Sequence, residues 1–308
     1  MPSTRSMPFI IAVANQKGGV AKTTTVVSLG GALTNHNQEV LLIDLDAQAN
    51  LTLALGVDPS RLRGAVTDVF FNSATPLSVS RQTDIPGLDL IPSNSGMDLA
   101  ERFLPVRKNY ETILRAGLRL PRQSNISEGS QAEQPTLPYD FIILDCPPLM
   151  GAVTINALAA ADMLIIPSQP EYFSAHALRT MMLTIRQVRS QQNPSLTYRI
   201  LVTMFDRRNR IHRQVNEQIR HAFAEGVFQT IIEIDTRLRE SAVEGKPITH
   251  YRSPRRSTPS RSALQYDALA QELIALTKTH HPEMQFTSGK EAQEQSSTAM
   301  HLPESRTY

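Results

Sequence analysis

The chain has few of the features that build disulfide-linked, metal-cluster or membrane proteins. Its 308 residues include a single cysteine, Cys146, which excludes an internal disulfide framework and leaves no cluster of soft ligands for a structural metal. No apolar run approaches the roughly 18 residues that a membrane span needs. The N-terminal residues have only two positive groups, the α-amine and Arg5, and no small-residue cleavage site. These absences predict a cytoplasmic protein with a packed thiol.

The net charge does not by itself indicate a nucleic-acid partner, because it is only +2. Any attraction to nucleic acid must therefore come from local clustering of basic residues. The hydrophobic share of 41% is enough to build a large core. The length suits either one large α/β domain or two small ones.

Short apolar runs alternate with longer helical patterns along most of the chain. Strands are predicted at Phe9–Ala14, Val40–Ile43, Leu88–Ile91, Phe141–Leu144, Met163–Ile166, Ile200–Thr203 and Val227–Ile232. Helices are predicted at Thr23–Asn35, Met97–Phe103, Tyr110–Leu118, Ile155–Ala161, Ala175–Gln191, Arg213–Glu225 and Ser262–Lys278. This rhythm predicts an α/β fold with a doubly wound, mostly parallel sheet that helices cover on both faces.

Two polar segments depart from this rhythm. Residues 122–137 are rich in Ser and Gln and have no periodicity, which predicts a surface insertion. Residues 282–308 have the same character and are predicted to be a disordered tail. The rest, residues 1–281, is predicted to form one domain.

The stretch NQKGGVAKTTT, at residues 15–25, nearly matches the phosphate-binding pattern G-x-x-x-x-G-K-[ST]. Glycine would be expected at positions 16 and 21, where this chain has Gln16 and Ala21. The loop nevertheless follows an apolar strand, and Thr23 opens a helical pattern, so backbone N–H groups would converge at a helix N-terminus. A simple glycine turn ahead of a helix is the alternative.

The residues of a phosphate-binding loop have different roles. The residues expected to hold a nucleotide in the same subunit are Gly18, Gly19, Val20, Ala21, Lys22, Thr23 and Thr24. The two glycines let the backbone approach a phosphate closely, Lys22 would reach the β- and γ-phosphates, and the Thr23 hydroxyl would ligate Mg²⁺. Ala21 is expected to need only a negative φ.

Acidic residues end two further predicted strands. Asp44 and Asp46 follow one apolar run, and because side chains alternate along an extended chain the pair is expected to point to one side. Asp145 ends another run, as the aspartate that binds the Mg²⁺ shell does in P-loop ATPases. The carboxyl ends of strands are where open α/β sheets bind ligands.

These motifs together resemble a known family. KGGVAKTT, LLIDLDAQAN, IILDCPP and INALAAADMLIIPSQPEYFSAHAL occur in this order and resemble the ParA/Soj family of partition ATPases, which are P-loop proteins with a deviant Walker A motif. The resemblance covers roughly residues 8–279. The family usually has glycine at position 21 and proline at position 47, where this chain has Ala21 and Ala47.

The resemblance implies an ATPase that uses ATP and Mg²⁺ and forms a homodimer in the presence of ATP. Lys17 would reach across the dimer to the partner's phosphates, and Lys22 would act in its own subunit. Asp46 would position or activate the attacking water, which makes Lys17, Lys22 and Asp46 the expected catalytic residues. Asp44 and Asp145 would hold the Mg²⁺ shell together with Thr23. A solvated surface lysine is the alternative for Lys17.

Basic charge collects in the C-terminal third. Between residues 199 and 261 there are thirteen Lys and Arg residues against seven Asp and Glu residues. The resemblance implies non-specific DNA binding here, with Arg208 and Arg237 as the closest matches. It also implies a ParB-like or cargo-adaptor partner that stimulates hydrolysis, and a nucleoid-associated location. An ordinary solvated arginine face is the alternative. The short segment before the first strand indicates the small form of the family, without an N-terminal helix-turn-helix domain.

Three rival functions share this fold. A MinD-like membrane-cycling ATPase would need a basic amphipathic C-terminal helix, and the tail shows no sustained apolar face. An iron–sulfur carrier needs cluster-binding cysteines, which one cysteine cannot supply. A small-molecule kinase or synthetase stays open, because a substrate pocket leaves no readable sequence pattern.

Overall fold

Eight strands form one sheet in the part of the chain that the structure describes. A computed structural model describes residues 7–119, 137–171, 174–252 and 258–280. The strands are β1 (Phe9–Val13), β2 (Val40–Asp44), β3 (Arg81–Gln82), β4 (Leu88–Ile91), β5 (Phe141–Asp145), β6 (Met163–Ser168), β7 (Thr197–Phe205) and β8 (Val227–Glu233). Their order across the sheet is β3-β4-β2-β5-β1-β6-β7-β8. The predicted α/β fold with a mostly parallel sheet is confirmed, since β3 alone of these strands runs antiparallel to its neighbour.

Helices cover both faces of the sheet. They are α1 (Lys22–Asn35), α2 (Asn50–Ala54), α3 (Val66–Phe71), α4 (Pro76–Val79), α5 (Met97–Phe103), α6 (Ile113–Leu118), α7 (Ala152–Ala160), α8 (Ser174–Gln191), α9 (Arg210–Phe223), α10 (Arg237–Val243) and α11 (Arg261–His280). None of the described helices combines the length and the apolarity that crossing a membrane would require.

The central strands form because they are apolar on both faces. Every residue of β1, β2 and β5 is buried, and side chains that alternate along each strand feed two separate cores, one on each face of the sheet. β1 lies between β5 and β6, so the loop that follows it emerges at the middle of the carboxyl edge. That edge is where the sequence predicts ligand binding.

One outer strand of the sheet is very short, and the other is partly covered by a helix. β3 has only two residues, Arg81 and Gln82, and both are exposed. On the opposite side, the Glu272 carboxylate of α11 accepts hydrogen bonds from the backbone N–H groups of Gln229 and Thr230 in β8, at 2.7 and 3.0 Å.

The seven predicted strands are all present, with ends that differ by a few residues. The sequence did not predict β3 or the short helices α2, α3, α4 and α10. Nearly all of the predicted insertion, the whole predicted tail and the C-terminal residues on which the membrane-cycling alternative depends lie outside the described residues. Residues 253–257 of the basic region between residues 199 and 261 also lie outside them.

Candidate functional site

The loop between β1 and α1 is held in place by two neighbouring strands. The Asn15 side chain accepts a hydrogen bond from the Lys17 backbone N–H at 3.0 Å and donates one to the Pro167 carbonyl in β6 at 2.7 Å. From β7, the Thr203 hydroxyl donates to the Val20 carbonyl at 3.1 Å. Asn15 and Thr203 are both buried. The loop is therefore fixed before any ligand binds.

The inner side of this loop is open. A Cβ atom built on Gly18 or Gly19 would meet no protein atom within 4 Å, and Gly19 has a φ of +72°. Helix α1 begins at Lys22 without a side-chain cap and without an acidic residue in its first turn. Its first N–H groups thus remain available, and the helix dipole adds positive potential at the same place. This arrangement suits an anion such as a phosphate.

Ala21 corrects one expectation from the sequence. The residue has φ 66° and ψ 35°, which is the left-handed region, so the expectation that it needs only a negative φ is wrong. An L-residue with a side chain pays about 1–2 kcal/mol for this conformation, and glycine does not. The glycine that the family usually has at this position thus has a physical reason, and Ala21 carries strain.

Lys22 lies inside the site. It is 9% exposed, and its ammonium donates to the Lys17 carbonyl at 3.4 Å. Burial lowers the pKa of Lys22, while the nearby Asp145, Cys146 and Asp46 oppose that shift. A phosphate that entered the loop would meet this positive charge in a poorly hydrated position, where electrostatic attraction is strong.

Asp145 is a buried carboxylate that accepts no hydrogen bond from the residues the structure describes. Both of its carboxylate oxygens are buried, and neither has a partner among the described residues. Burial and then the adjacent Asp44 raise the pKa of Asp145 well above its ordinary value, whereas Thr23 and Lys22 lower it. Thr23 lies near the carboxylate without reaching hydrogen-bond geometry. Since a buried carboxylate normally has partners, Asp145 is arranged for a cation.

These residues fit a Mg²⁺ ion. Carboxylate and hydroxyl oxygens are ligands that Mg²⁺ prefers, and Mg²⁺ takes its remaining ligands from water and from substrate phosphates. No group of three or more His, Cys, Asp or Glu side chains in the described ranges could hold a metal alone. A metal at Asp145 and Thr23 would therefore arrive with phosphates.

Asp44 has a different environment from Asp145, its register partner in β5. Its carboxylate accepts hydrogen bonds from the Thr52 N–H at 2.9 Å, from the Thr52 hydroxyl at 2.7 Å and from the Asp46 N–H at 3.1 Å. Burial, opposed by the Thr52 bonds, raises the pKa of Asp44 to about 6. Asp44 thus fastens α2 to the sheet, and its role in the Mg²⁺ shell stays a prediction.

Asp46 lies where it can meet water. It is half-buried, and its carboxylate accepts the Gln48 N–H at 3.0 Å. Its charge acts on Lys22 and on Asp145, so the three groups share one site. The predicted catalytic residues Lys22 and Asp46 are therefore brought together.

Lys17 lies apart from this group, on the rim. Its ammonium forms an ion pair with Glu171, in the segment that follows β6. The two side chains are 41% and 42% exposed. Lys17 thus faces outward, away from the loop that its own backbone helps to form.

A cavity of about 460 Å³ opens beyond the carboxyl ends of β7 and β8. It is lined by Phe205, Asp206, Arg207, Arg208, Glu233, Ile234 and Arg261. Glu233 is 4% exposed and binds Arg207 and Arg261, each at 2.7 Å. Because Thr203 of β7 touches the phosphate loop, this cavity lies on the same edge of the sheet as the loop.

Arg208 and Arg237 follow these same two strands. Arg208 is 91% exposed and contacts Asp206 at 3.2 Å. Arg237 is half-buried at the start of α10 and donates to the Thr258 carbonyl at 3.3 Å. Phe205 and Glu233 are register partners, so the two arginines leave the sheet from neighbouring positions.

Sequence reasoning missed four residues that shape the site. Asn15, Thr203 and Glu171 act through contacts between distant segments, which a single sequence does not reveal. Thr52 bonds to Asp44 eight residues earlier, across a turn whose shape the sequence does not show. Asn15 alone had a local signal, because it is a polar residue at the end of an apolar strand.

The sheet order and the geometry of the loop define a P-loop fold with a deviant Walker A motif. A family model described as an AAA domain matches residues 9–198, which is more than half of the chain. The sporulation initiation inhibitor protein Soj of Bacillus subtilis is 37% identical over 270 residues, which cover 87% of this chain and 99% of Soj. The chromosome partitioning protein ParA of Caulobacter vibrioides is 35% identical over 243 residues, covering 79% and 86% of the two chains. The chain therefore belongs to the Soj/ParA family, as its motifs predict.

Solved structures agree on the fold. Cobyrinic acid a,c-diamide synthase from Mycobacterium smegmatis, solved with bound ADP and magnesium, has a TM-score of 0.68 and 31% identity, covering 92% of this chain and 100% of that one. The ATP complex of a single-residue variant of Cyanothece McdA has a TM-score of 0.71 at 19% identity and covers 92% and 99% of the two chains. At that identity, McdA shows the shared fold alone.

Proposed function

We propose that this protein is an ATPase that binds ATP with Mg²⁺, dimerises on it and holds DNA without sequence preference. The observation that carries the nucleotide site is Asp145. It is a buried carboxylate with no partner among the described residues, and it lies beside Lys22 and the open loop. The structures of M. smegmatis cobyrinic acid a,c-diamide synthase with ADP or an ATP analogue and magnesium support this assignment.

Each part of the nucleotide has a candidate partner. The N–H groups of residues 18–22 and the Lys22 ammonium would receive the phosphates, and Thr23 and Asp145 would hold Mg²⁺. When bound, Mg²⁺ neutralises charge on the phosphate oxygens. The cavity between Phe205 and Ile234 is large enough for the base and lies on the same edge of the sheet.

Hydrolysis requires mainly positioning and charge stabilisation, so no covalent nucleophile is needed. Asp46 is half-buried beside Lys22 and would orient the attacking water. Lys17 would complete the charge stabilisation from a second subunit, because it faces away from its own loop. ATP binding and dimerisation would thereby become coupled free energies.

DNA binding is proposed for the surface that carries Arg208 and Arg237, next to the arginines that Glu233 holds. In a dimer this surface occurs twice, which multiplies its attraction for phosphates. A ParB-like or cargo-adaptor partner would stimulate hydrolysis and release the protein from DNA. The location would then be the nucleoid. Relatedness to Soj and ParA supports these points.

The test is ATP turnover with and without DNA. Purified protein with ATP and Mg²⁺ should bind unrelated DNA fragments equally well, and binding should vanish with ADP. DNA should also raise the slow basal turnover. If ATP fails to promote DNA binding at low salt, the DNA part of the proposal is wrong.

A second candidate is an ATP-dependent small-molecule enzyme. The observation that favours it is the 31% identity to cobyrinic acid a,c-diamide synthase over the full length of that chain. Such an enzyme would show turnover that responds to a metabolite and ignores DNA. The same turnover assay therefore separates the two functions.

A further inference from the structure

Two helices end against each other at a pair of glycines. Gly56 follows α2 and Gly245 follows α10, and their φ angles are +74° and +66°. A Cβ atom built on Gly245 would lie 3.1 Å from the Gly56 nitrogen and 3.2 Å from the Gly56 Cα. A Cβ atom on Gly56 would meet nothing within 4 Å. The close contact therefore depends on the absence of a side chain at Gly245, whereas Gly56 has room for one.

One side of this contact begins in the nucleotide site. Helix α2 follows the loop that carries Asp46, and Asp44 fixes it through the two hydrogen bonds from Thr52. Gly56 lies four residues after Thr52 and closes the helix by donating its N–H to the Leu53 carbonyl at 2.9 Å. Because α2 follows the Asp46 loop directly, a shift of that loop that lengthens or breaks the two Thr52 hydrogen bonds would move α2 and its terminal glycine.

The other side leads to the proposed DNA surface. Helix α10 starts at Arg237 and has seven residues, so at about 1.5 Å per residue only about 10 Å of rigid helix separates Arg237 from the contact. The chain after Gly245 also touches α1, because a Cβ atom on Gly31 would lie 2.4 Å from the Pro247 Cβ. The end of α10 thus rests on both helices that leave the nucleotide site.

We propose that the Gly56–Gly245 contact transmits the state of the nucleotide site to α10 and so sets how Arg237 is presented to DNA. This inference rests on the proposed function for its DNA part. The transmission itself concerns α10 alone and is measured without DNA. Backbone-to-backbone contact transmits small displacements well, because no flexible side chain lies between the two helices.

A single tryptophan provides the measurement. The chain contains no tryptophan, and Val243, the last residue of α10, is 89% exposed. In the full-length Val243→Trp protein, a non-hydrolysable ATP analogue with Mg²⁺ should change the emission relative to ADP. Absence of any change would mean that α10 does not sense the nucleotide, which overturns the inference.

Two glycine variants then locate the path. Gly245→Ala and Gly56→Ala each place alanine in the left-handed region, but only Gly245→Ala pushes a methyl group into the contact. The emission change should fall about fivefold or more in Gly245→Ala and stay within about twofold in Gly56→Ala. Nucleotide affinity and sedimentation should be alike in both. The path would be refuted if Gly245→Ala kept the full emission change, or if Gly56→Ala lost as much of it as Gly245→Ala.

If Gly245→Ala does not fold, Gly245→Asn replaces it, because asparagine tolerates positive φ and still carries a Cβ atom. DNA binding is measured last, with the same variants. If Gly245→Ala loses the ATP-dependent gain in DNA affinity and Gly56→Ala keeps it, the contact also controls DNA binding. If the Val243→Trp emission responds to nucleotide but the wild-type protein never binds DNA, the proposed function is refuted. The transmission from the nucleotide site to α10 is then still supported.

Discussion

Lys17 and Glu171 form an ion pair at the rim of the phosphate loop, although 154 residues separate them in sequence. The pair is nearly half-exposed on both sides, so it contributes at most about 1 kcal/mol. Its geometry matters more than its strength. In a single subunit, Glu171 holds the ammonium that the proposed dimer would need for its partner's phosphates.

Glu171→Gln should therefore favour the ATP-dependent dimer. For each Lys17–Glu171 ion pair that no longer has to break, dimerisation should become up to about fivefold tighter. Lys17→Ala should still bind ATP but should fail to dimerise. Sedimentation with ATP and Mg²⁺ measures both. Asp58→Asn, which removes a surface ion pair with Arg61, serves as the control. Normal dimerisation and turnover in Lys17→Ala would contradict the assignment.

Asp46→Ala should separate binding from chemistry. It removes the proposed water-positioning carboxylate and leaves the loop and Lys22 in place, so turnover should fall about 10²-fold or more. The protein should accumulate as an ATP-bound dimer that stays on DNA. Single-turnover hydrolysis and DNA retention measure this against the exposed control Asp84→Ala. Unchanged turnover would transfer the role to another residue of the loop.

Asp44 and Asp145 should make the nucleotide-free protein less stable as pH rises. Their folded pKa values lie above the ordinary 3.8, with Asp44 at about 6 and Asp145 also raised. For Asp44, the raised folded pKa means that its contribution to stability is fully present below about pH 4 and is lost as pH rises past 6. The contribution of Asp145 has the same sign.

The variant that tests this titration is Asp145→Asn. Its melting temperature without nucleotide should exceed that of wild type by a margin that grows as pH rises, up to about 5 °C. It should also lose the stabilisation that Mg²⁺ and ATP give to wild type. Asp84→Asn is the exposed control. Equal melting of Asp145→Asn and wild type across the whole pH range would mean that Asp145 is not strained.

Ala21→Gly should relieve backbone strain. The φ of 66° costs alanine about 1–2 kcal/mol, which glycine would not pay. Glycine also gives the unfolded chain more conformational freedom, which offsets about 0.5–1 kcal/mol of this gain. A net gain of about 0.5–1 kcal/mol in unfolding free energy is expected. Ala268→Gly, at an exposed position in the interior of α11, should instead destabilise by about 0.5–1 kcal/mol. Urea unfolding compares the two, and destabilisation by both would contradict the strain.

Arg208→Ala or Arg237→Ala should weaken binding equally on unrelated DNA sequences. Each phosphate contact contributes about 0.9 to the slope of log affinity against log salt, so losing one arginine from both subunits should flatten the slope by about two units. Arg63→Ala, at an exposed position before α3, is the control. Full DNA affinity in the double variant Arg208→Ala/Arg237→Ala would mean that DNA binds elsewhere.

Much of the fold follows from the sequence because buried parallel strands are continuous apolar runs. β4 begins and ends where the pattern predicts, and β1, β2 and β5 differ by one residue at one end. β3 escaped prediction because its two residues are polar and exposed. α10 escaped because seven residues leave too few turns for a periodic pattern.

The site divides along similar lines. Its local parts could be predicted, the glycines and Lys22 because the P-loop pattern fixes their spacing, and the aspartates because they end or follow apolar strands. Glu171 was not visible, because its partner lies in a distant segment. The handedness of Ala21 was also hidden, since the amino-acid type argues against the conformation that the loop imposes on it.

The two outer strands of the sheet have a consequence for crowding. Exposed strand edges invite other chains to pair with them, and proteins that collect on a scaffold at high local concentration risk such aggregation. Here β3 is short and exposed, and Glu272 accepts the N–H groups of Gln229 and Thr230 in β8. If copies collect on DNA as proposed, these two features would make them less prone to add strands to one another's sheets.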